Sequence, residues 1–171
     1  MLNFTRLWIE IIMIVVREFQ DCDAAGAAEV YYESFKTYLK ERMGPKRSAE
    51  YWQNSMKRFT TEEYDNISFV ALDGDRVVGC ISIAAALVRR LGTLTRIGVL
   101  PEYAGKGIGK MLFEEADRFW RERKMRKVAT CVSSINTAAI KFYERCGFHC
   151  EGVLKDHFFP GVDEHQLALF Y

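Results

Sequence analysis

The sequence predicts an α/β fold in which a mixed sheet is flanked by helices. Apolar residues recur every three or four positions in the clearest helical segments, whereas other segments are short runs of β-forming residues bounded by turns. The predicted order is strand, two helices, three strands, helix, strand, helix and two strands, which differs from a βα repeat. With 171 residues, 49% of them hydrophobic, and no internal repeat or linker, we expect one core.

The amino-terminal half begins with a strand and two helices. In the first helix, Tyr31, Phe35 and Leu39 fall on one face, and Gly44-Pro45 ends the segment. Two β-rich runs around Asp73-Gly74-Asp75 predict a hairpin. The predicted bounds are strand 13–18, helices 24–39 and 46–59, a polar loop to 66, and strands 67–72 and 77–88.

The carboxy-terminal half contains the clearest helix, where Ile108, Leu112 and Phe119 belong to one apolar stripe. A shorter helix has Asn136 as a good N-cap residue and Gly147 as its stop. The predicted bounds are strand 93–100, helix 108–123, strand 127–132, helix 136–146, and strands 148–154 and 164–170.

Charge and cysteine content restrict the partners. A formal net charge of +1 gives no global field for nucleic acid or an anionic membrane, so neither partner is expected. Five cysteines without a Cys-x-x-Cys pair predict no disulfide framework and no common zinc spacing, which favours a cytoplasmic location. Cys146, His149 and Cys150 lie close in sequence but lack a second ligand pair, so we expect buried thiols and no metal.

The first twelve residues resemble neither a membrane span nor a signal peptide. The apolar run at 7–16 has about half of the roughly 20 residues that a span requires, and Glu10 interrupts it. Arg6 is the only basic residue before the run. We expect residues 1–12 to be an extension, with Met13 as a candidate internal start, and residues 13–171 to be a single domain.

A glycine-rich loop joins the strand at 93–100 to the clearest helix. Gly105, Gly107 and Gly109 stand at alternate positions, and glycine permits close backbone approach or a positive φ. Main-chain N–H groups at a helix amino terminus bind anions. The loop therefore suits a phosphate or pyrophosphate, although an ordinary glycine turn stays open.

Two well-known phosphate loops do not fit. A P-loop requires glycine where Ala104 stands and a hydroxyl residue where Met111 stands. The dinucleotide pattern Gly-x-Gly-x-x-Gly fails as well, because Lys110 or Leu112 occupies its last position. A nucleotide-binding module is thereby disfavoured.

Two motifs resemble those of the GNAT family of N-acetyltransferases. The family's loop, Arg/Gln-x-x-Gly-x-Gly/Ala, is matched at 104–109 except at its first position, which is Ala104. Its motif Asn-x-x-Ala-x-x-Phe/Leu-Tyr-x-x-x-Gly-Phe is matched from Asn136 to Phe148. The resemblance extends over about 13–170 and implies a mostly antiparallel central sheet, flanked by helices, with the phosphate loop before the third helix.

The resemblance implies acetyl-CoA as the co-substrate, with its pyrophosphate on the glycine loop. Main-chain groups of Ile97 to Val99 would bond the pantetheine arm as an added strand does. Ala104 would offer only its backbone N–H and so weaken affinity. Lys106 and Lys110 would add charge or be merely solvated; Asn136 would touch the arm, orient water or simply cap its helix. The implied cofactor residues are Ile97, Gly98, Val99, Ala104, Gly105, Lys106, Gly107, Ile108, Gly109, Lys110 and Asn136.

The implied chemistry is direct attack of an amine on the thioester, without metal or acyl-enzyme. Tyr143 stands where the family places its general acid, with core packing as the alternative. Ribosomal-protein alanine acetyltransferases have a glutamate five residues before the motif asparagine, where this chain has Cys131, which counts against that substrate. Cys131 also lacks the neighbours of an activated nucleophile. The base is not identified; the candidates are Glu29, Glu33, Asp156, His157, Glu164, His165 and water.

The acceptor stays open. The aromatic residues Tyr31, Tyr32, Phe35 and Tyr38 on the first helix are either core or a wall suited to a cationic amine. A small-molecule amine, an amino acid, an antibiotic, or a protein N-terminus or lysine is compatible with the fold. Homodimers are common in the family, but the sequence does not show which surface would form the dimer interface. The alternative function is a non-catalytic sensor of acetyl-CoA or CoA, which lacks a base.

Overall fold

An eight-stranded sheet forms the centre of the computed structural model, which describes residues 13–171. The predicted extension at 1–12 lies outside these residues. The strands are β1 (Ile14–Glu18), β2 (Phe59–Thr60), β3 (Tyr64–Asp73), β4 (Arg76–Ala86), β5 (Leu91–Val99), β6 (Lys127–Ser133), β7 (His149–Phe159) and β8 (Val162–Phe170). The helices are α1 (Ala24–Leu39), α2 (Ala49–Met56), α3 (Ile108–Glu122) and α4 (Thr137–Arg145).

The sheet order is β1-β3-β4-β5-β6-β8-β7, with β2 paired to the free end of β3. Every pairing is antiparallel except that of β5 with β6, so the predicted mixed and mostly antiparallel sheet is confirmed. Ser82 contacts Tyr31 of α1, whereas Gly79 lies against Ile108 of α3. Because residues three apart on a strand face opposite ways, the two helices cover opposite faces.

The core between α1 and the sheet contains an aromatic stack. Tyr31 is fully buried, its hydroxyl lies 3.2 Å from Ser82 Oγ, and its ring stacks on Trp52 of α2 at 4.5 Å between centroids. On the other face, Trp120 of α3 donates its indole N–H to the Ala84 carbonyl at 3.0 Å. These contacts fix both helices against the central strands.

The sheet opens between β5 and β6. The two strands pair only from Leu91 to Thr93, and the Thr130 hydroxyl then donates to the Leu94 carbonyl at 2.9 Å in place of a main-chain bond. Next to this point, Thr95 is an extra residue in the pairing with β4, and such a bulge bends a strand. The rest of β5 therefore has one edge without a strand partner.

Three predicted boundaries are wrong for local reasons. Helix α2 is shorter than 46–59, because Ser48 Oγ accepts from the Tyr51 N–H and sets its start. The expected loop before 67 contains β2 and the start of β3, which pair with each other. Strand β7 extends to Phe159 and forms a long hairpin with β8.

No helix within residues 13–171 is long and apolar enough to cross a membrane.

Candidate active site

The glycine loop uses its three glycines in two ways. Gly105 and Gly107 have φ of +78° and +83°, a conformation that side chains rarely adopt. Gly109 lies inside the first turn of α3, where an added Cβ would be 3.4 Å from the Phe142 ring. Gly105 and Gly107 are therefore favoured by the backbone path, whereas a Cβ at Gly109 would make only ordinary contact with the Phe142 ring.

The loop presents unpaired main-chain donors. Gly107 is the N-cap of α3 and provides no side-chain cap. Within residues 13–171 no acceptor is found for the N–H groups of Gly105, Gly107, Ile108, Gly109 and Lys110. The positive end of a fifteen-residue helix adds to these donors, and the arrangement favours an anion.

The main-chain N–H of Ala104, which was expected to be free, is already hydrogen-bonded. Its N–H donates to the Pro101 carbonyl at 3.1 Å, in the short 3-10 turn that precedes the loop. The expectation that this N–H is available to a phosphate is therefore wrong. The side chain is a methyl group, so Ala104 offers neither kind of donor.

A cavity of about 840 Å³ extends from this loop into the opening beside β5. Its lining contains every predicted cofactor residue except Lys106, whose Nζ instead lies 4.5 Å from the Tyr103 ring centroid. Lys110 lines the cavity and lies 3.6 Å from Glu114. The predicted residues on the lining are Ile97, Gly98, Val99, Ala104, Gly105, Gly107, Ile108, Gly109, Lys110 and Asn136.

Sequence reasoning missed the residues that α1 and α4 add to this lining. They include Ser34 and Thr37 from α1, and Phe142 and Arg145 from α4, whereas Phe35 and Tyr38 of α1 were expected as core or as an acceptor wall. Arg145 lies within the recognised motif, so its basic charge was a usable signal. The α1 residues had no comparable signal, because only packing decides which part of a helix faces a distant strand.

Gly98 explains how α1 comes so close to β5. A Cβ at this position would lie 2.5 Å from Ser34 Oγ and 3.3 Å from the Tyr31 ring. The absence of a side chain at Gly98 lets β5 approach α1 closely. At the same point, the edge of β5 that has no strand partner borders the larger cavity. Gly98 acts through packing as well as through its main chain.

A second cavity of about 410 Å³ adjoins the first. The two share a wall made by five residues, namely Phe35, Tyr38, Ile97, Asn136 and Ala139. The second cavity has further aromatic walls from Tyr51, Trp52, Phe158 and Phe159. Of the aromatic residues predicted on α1, Phe35 and Tyr38 border the cavities, whereas Tyr31 is core and Tyr32 lines neither.

Tyr143 lies in the wall of the second cavity and is 5% exposed. Burial raises the pKa of this phenol, and the Thr130 hydroxyl opposes the shift only in part. The group therefore stays protonated at neutral pH. The ring of Tyr143 contacts Phe142 and Phe148 edge-on. Tyr143 is therefore packed against the core and is also part of the cavity wall.

Glu164 is the one candidate base that lines either cavity. It lies on β8 opposite Ser133 of β6 and is 3% exposed. Burial raises the pKa of Glu164, and this effect outweighs those of the Ser133 hydroxyl, His157 and His165, which lower it. A buried carboxylate with a raised pKa in a cavity is a candidate proton acceptor.

The other candidates lie elsewhere. Glu29 is 3.6 Å from the Arg76 guanidinium, and Asp156 accepts from the Gly161 N–H in the β7–β8 turn. The His157 ring packs on Phe158 at 4.4 Å between centroids. Glu33 and His165 are half-buried but outside both linings. Of the six candidate side chains, Glu164 is thus the buried carboxylate that the structure places at a cavity.

Cys131 lines the second cavity, as its place before the motif asparagine requires. Burial, and then the charge of Glu164, raise the pKa of this thiol. The thiolate is therefore disfavoured, in agreement with the absence of an activated nucleophile in the predicted mechanism.

Asn136 combines two of its expected roles. Its side-chain oxygen accepts from the Ala139 N–H at 3.2 Å and so caps α4. The residue also borders both cavities.

Cys146 lines the larger cavity, where burial raises its pKa to about 11. In the part of the chain that the structure describes, no group of three or more His, Cys, Asp and Glu is placed to hold a metal.

The split sheet and the glycine loop beside it define the class of protein as an acyltransferase. A family model described as the acetyltransferase (GNAT) family matches residues 28–148, which is more than half of the chain. The chain belongs to this acetyltransferase family.

Individual relatives agree with this class. N-alpha-acetyltransferase 30 of Schizosaccharomyces pombe is 27% identical over 138 residues, which cover 78% of this chain and 92% of the relative. Streptothricin acetyltransferase of Streptomyces lavendulae is 36% identical over 64% of this chain and 58% of its own length. The solved structure of the PaiA N-acetyltransferase from Thermoplasma acidophilum in complex with coenzyme A has a TM-score of 0.69 at 20% identity, covering 94% of this chain and 100% of that one.

Proposed function

We propose that this protein transfers an acetyl group from acetyl-CoA to an amine by direct attack. The observation that carries the proposal is the junction of two cavities through one shared wall. One cavity contains a loop with unpaired N–H donors, and the other contains Glu164 and Tyr143. A thioester lying across the shared wall would meet an amine held in the second cavity.

The larger cavity is proposed to hold acetyl-CoA. The free N–H groups from Gly105 to Lys110 would bind the pyrophosphate, and the unpaired edge of β5 at Ile97 to Val99 would bond the pantetheine amides. Lys110 and Arg145 are the cations on the lining. Because Ala104 offers no donor, we expect the affinity to be lower than that of a chain with arginine or glutamine there.

Glu164 and Tyr143 are proposed to move the two protons. Glu164 takes a proton from the acceptor ammonium, and the free amine attacks the thioester carbonyl to form the C–N bond. As the C–S bond breaks, Tyr143 protonates the departing thiolate; the nitrogen, which carries an extra proton after the attack, releases that proton to solvent, and solvent reprotonates the Tyr143 phenolate. The raised pKa values of both groups fit these roles, since one must accept a proton near neutral pH and the other must retain one.

The acceptor class is an amine, either of a small molecule or of a protein N-terminus or lysine. The relatives named above act on different acceptors, as their names state, so they do not choose between these. The non-catalytic sensor is disfavoured, because it was expected from the lack of a base and Glu164 supplies one.

The test is acetyl transfer together with cofactor binding. We expect acetyl-CoA and CoA, but not ATP, to raise the melting temperature with concentration. Tyr143→Phe is expected to lower turnover by about 10²-fold or more while leaving that shift unchanged. Tyr64→Phe, on an exposed tyrosine outside both cavities, is the matched control. Equal turnover of both variants would contradict the proposal.

Three broader expectations accompany this function. We propose that residues 13–171 act as a single domain, so that a chain starting at Met13 retains activity. We propose a cytoplasmic location, since all five cysteines are unpaired. A homodimer stays a prediction that light scattering would test.

A further inference from the structure

We propose that the acceptor carries a carboxylate as well as its amine, and that Arg96 binds this carboxylate. The proposal deepens the function proposed above and rests on it. Its basis is an arginine without a carboxylate partner, held in the wall of the same cavity that contains Glu164.

Arg96 is unusual among the arginines of this chain. Within residues 13–171, three arginines are half-buried, namely Arg17, Arg96 and Arg123. Arg17 pairs with Asp23 at 2.7 Å, and Arg123 pairs with Asp65 at 2.6 Å. No carboxylate of the described residues lies within 4.0 Å of Arg96. Half-buried charges are normally paired, so the missing anion points to a ligand.

The guanidinium of Arg96 is positioned but not saturated. One terminal nitrogen donates to Ser55 Oγ at 3.1 Å. The group lies 5.2 Å from the Trp52 ring centroid and 5.8 Å from that of Tyr31. Guanidinium has five N–H donors, and Ser55 uses only one of them. A stacked guanidinium with free donors suits bidentate recognition of a carboxylate.

The same contacts argue against a purely cationic acceptor at this wall. Phe35 and Tyr38 also line this cavity, but the face of Trp52, which could have received an ammonium group, is already occupied by Arg96. A second cation there would be repelled. The indole N–H of Trp52 is a further buried donor without an acceptor, so the wall has an excess of donors.

Glu164 and Arg96 approach the cavity from different strands. In the sheet order β6 lies between β5 and β8, so the backbones of these strands are about 10 Å or more apart. An ammonium group at Glu164 and a carboxylate at Arg96 would therefore fit on one small molecule. The aromatic walls, which include Phe35, Tyr38 and Phe158, would receive an apolar body. The inferred acceptor is an amino acid with an apolar or aromatic side chain.

The experiment compares matched acceptors that differ only at the carboxylate. Initial rates of CoA release are measured with L-phenylalanine, L-phenylalaninamide, phenethylamine and the phosphonate analogue of phenylalanine, and with the leucine counterparts of the first three. We expect kcat/KM for the amino acids to exceed that for the amides and amines by about tenfold or more. A preference for the phosphonate over the carboxylate would overturn the carboxylate assignment.

Variants of Arg96 separate binding from a structural role. Arg96→Gln is expected to lower the ratio of kcat/KM for acid over amide to about 1, with the amide rate changed less than about threefold. Arg96→Lys retains charge without the planar fork and should recover part of the ratio. Arg47→Gln is the control, because Arg47 stacks on Tyr51 at 5.2 Å but does not line the cavity.

The outcomes distinguish this inference from the proposed function. Equal loss on acid and amide in Arg96→Gln, with a lower melting temperature, would make Arg96 a structural residue and overturn the inference. Faster transfer to neutral amines than to amino acids in the unmodified protein would overturn it too, while leaving the acetyltransferase proposal intact. Binding of acetyl-CoA without transfer to any member of the set also overturns the inference. No stabilisation by acetyl-CoA or CoA would overturn the proposed function itself.

Discussion

Asp65 and Glu164 are two buried carboxylates with opposite electrostatic surroundings. They are 4% and 3% exposed, so burial alone would raise both pKa values. Around Asp65, hydrogen bonds from Arg123 at 2.7 Å and Thr60 at 2.9 Å, with Arg58 nearby, overcome burial and lower the pKa. Around Glu164 no cation lies within 4.0 Å among residues 13–171, and burial prevails.

The difference separates a stabilising carboxylate from one available for chemistry. Asp65 joins β3 to the carboxy-terminal end of α3 through Arg123 and lines neither cavity. Around Glu164 the effects that lower the pKa do not outweigh burial, and the residue lines the second cavity. A buried carboxylate that is left unpaired in a cavity costs stability, and functional sites are where such costs are found.

The largest expected effect is on catalysis. Glu164→Gln removes the proposed proton acceptor and should lower kcat/KM by about 10²- to 10⁴-fold. Asp65→Asn should leave kcat per folded molecule within about threefold, since Asp65 touches neither cavity. Both variants are assayed with the best acceptor at 25 °C, and cofactor binding is followed by thermal shift. Comparable losses of activity in the two variants would show that Glu164 and Asp65 do not differ in their contribution to catalysis.

The next effect is on stability, and it concerns Asp65. Asp65→Asn removes the nearest carboxylate of Arg123 and of Arg58, which among residues 13–171 keep only Glu122 at 3.9 Å and Glu18 at 3.6 Å, and should lower the free energy of unfolding at pH 7 by about 3 kcal/mol. Because the folded pKa of Asp65 is lowered, its stabilisation is present above the unfolded pKa of about 3.9 and is lost as pH falls through the folded value. Urea unfolding at pH 7 and pH 3 measures this, and an equal loss at both would contradict the assignment.

Glu164→Gln should raise the stability of the folded protein at pH 7, whereas Asp65→Asn should lower it. Because the folded pKa is raised, the stability contributed by Glu164 is fully present below its unfolded pKa of about 4.3 and is lost as pH rises through the folded value. The glutamine variant does not titrate, so it should melt above the unmodified protein at pH 7 and converge with it near pH 4. A lower melting temperature at pH 7 would show that Glu164 is paired in the folded state.

The smallest effect tests the neighbour of Glu164. We expect kcat/KM to fall as pH decreases through the raised pKa of Glu164, because only the carboxylate accepts a proton. The Ser133 hydroxyl lies opposite Glu164, makes no hydrogen bond to another described residue and lowers that pKa, so Ser133→Ala should move the acid limb to higher pH. Ser134→Ala, on the adjacent residue outside both linings, is the control. An unchanged limb would mean that another group titrates.

Much of the fold was predictable because its signals are local. The stripe of α3, the cap of α4 and the positive φ of Gly105 and Gly107 depend on residues near one another in sequence. The two motifs predicted the family, and ten of the eleven residues that the resemblance implied for the cofactor line the larger cavity. The short β2 and the start of α2 were missed, because β2 depends on pairing with β3 and the start of α2 on a single serine cap.

The acceptor side was decided by tertiary structure. Glu164, Arg96 and Tyr143 stand on β8, β5 and α4. Of the six candidate carboxylates and histidines, Glu164 alone lines a cavity, because β8 pairs with β6 and places it opposite Ser133. Burial raises its pKa, and burial is a property of the packed chain. By itself the sequence determined the scaffold and the anion-binding loop, which need only neighbouring residues. The choice of Glu164 as the proposed base and of Arg96 as the proposed carboxylate ligand depends on the long-range contacts that bring separate strands together.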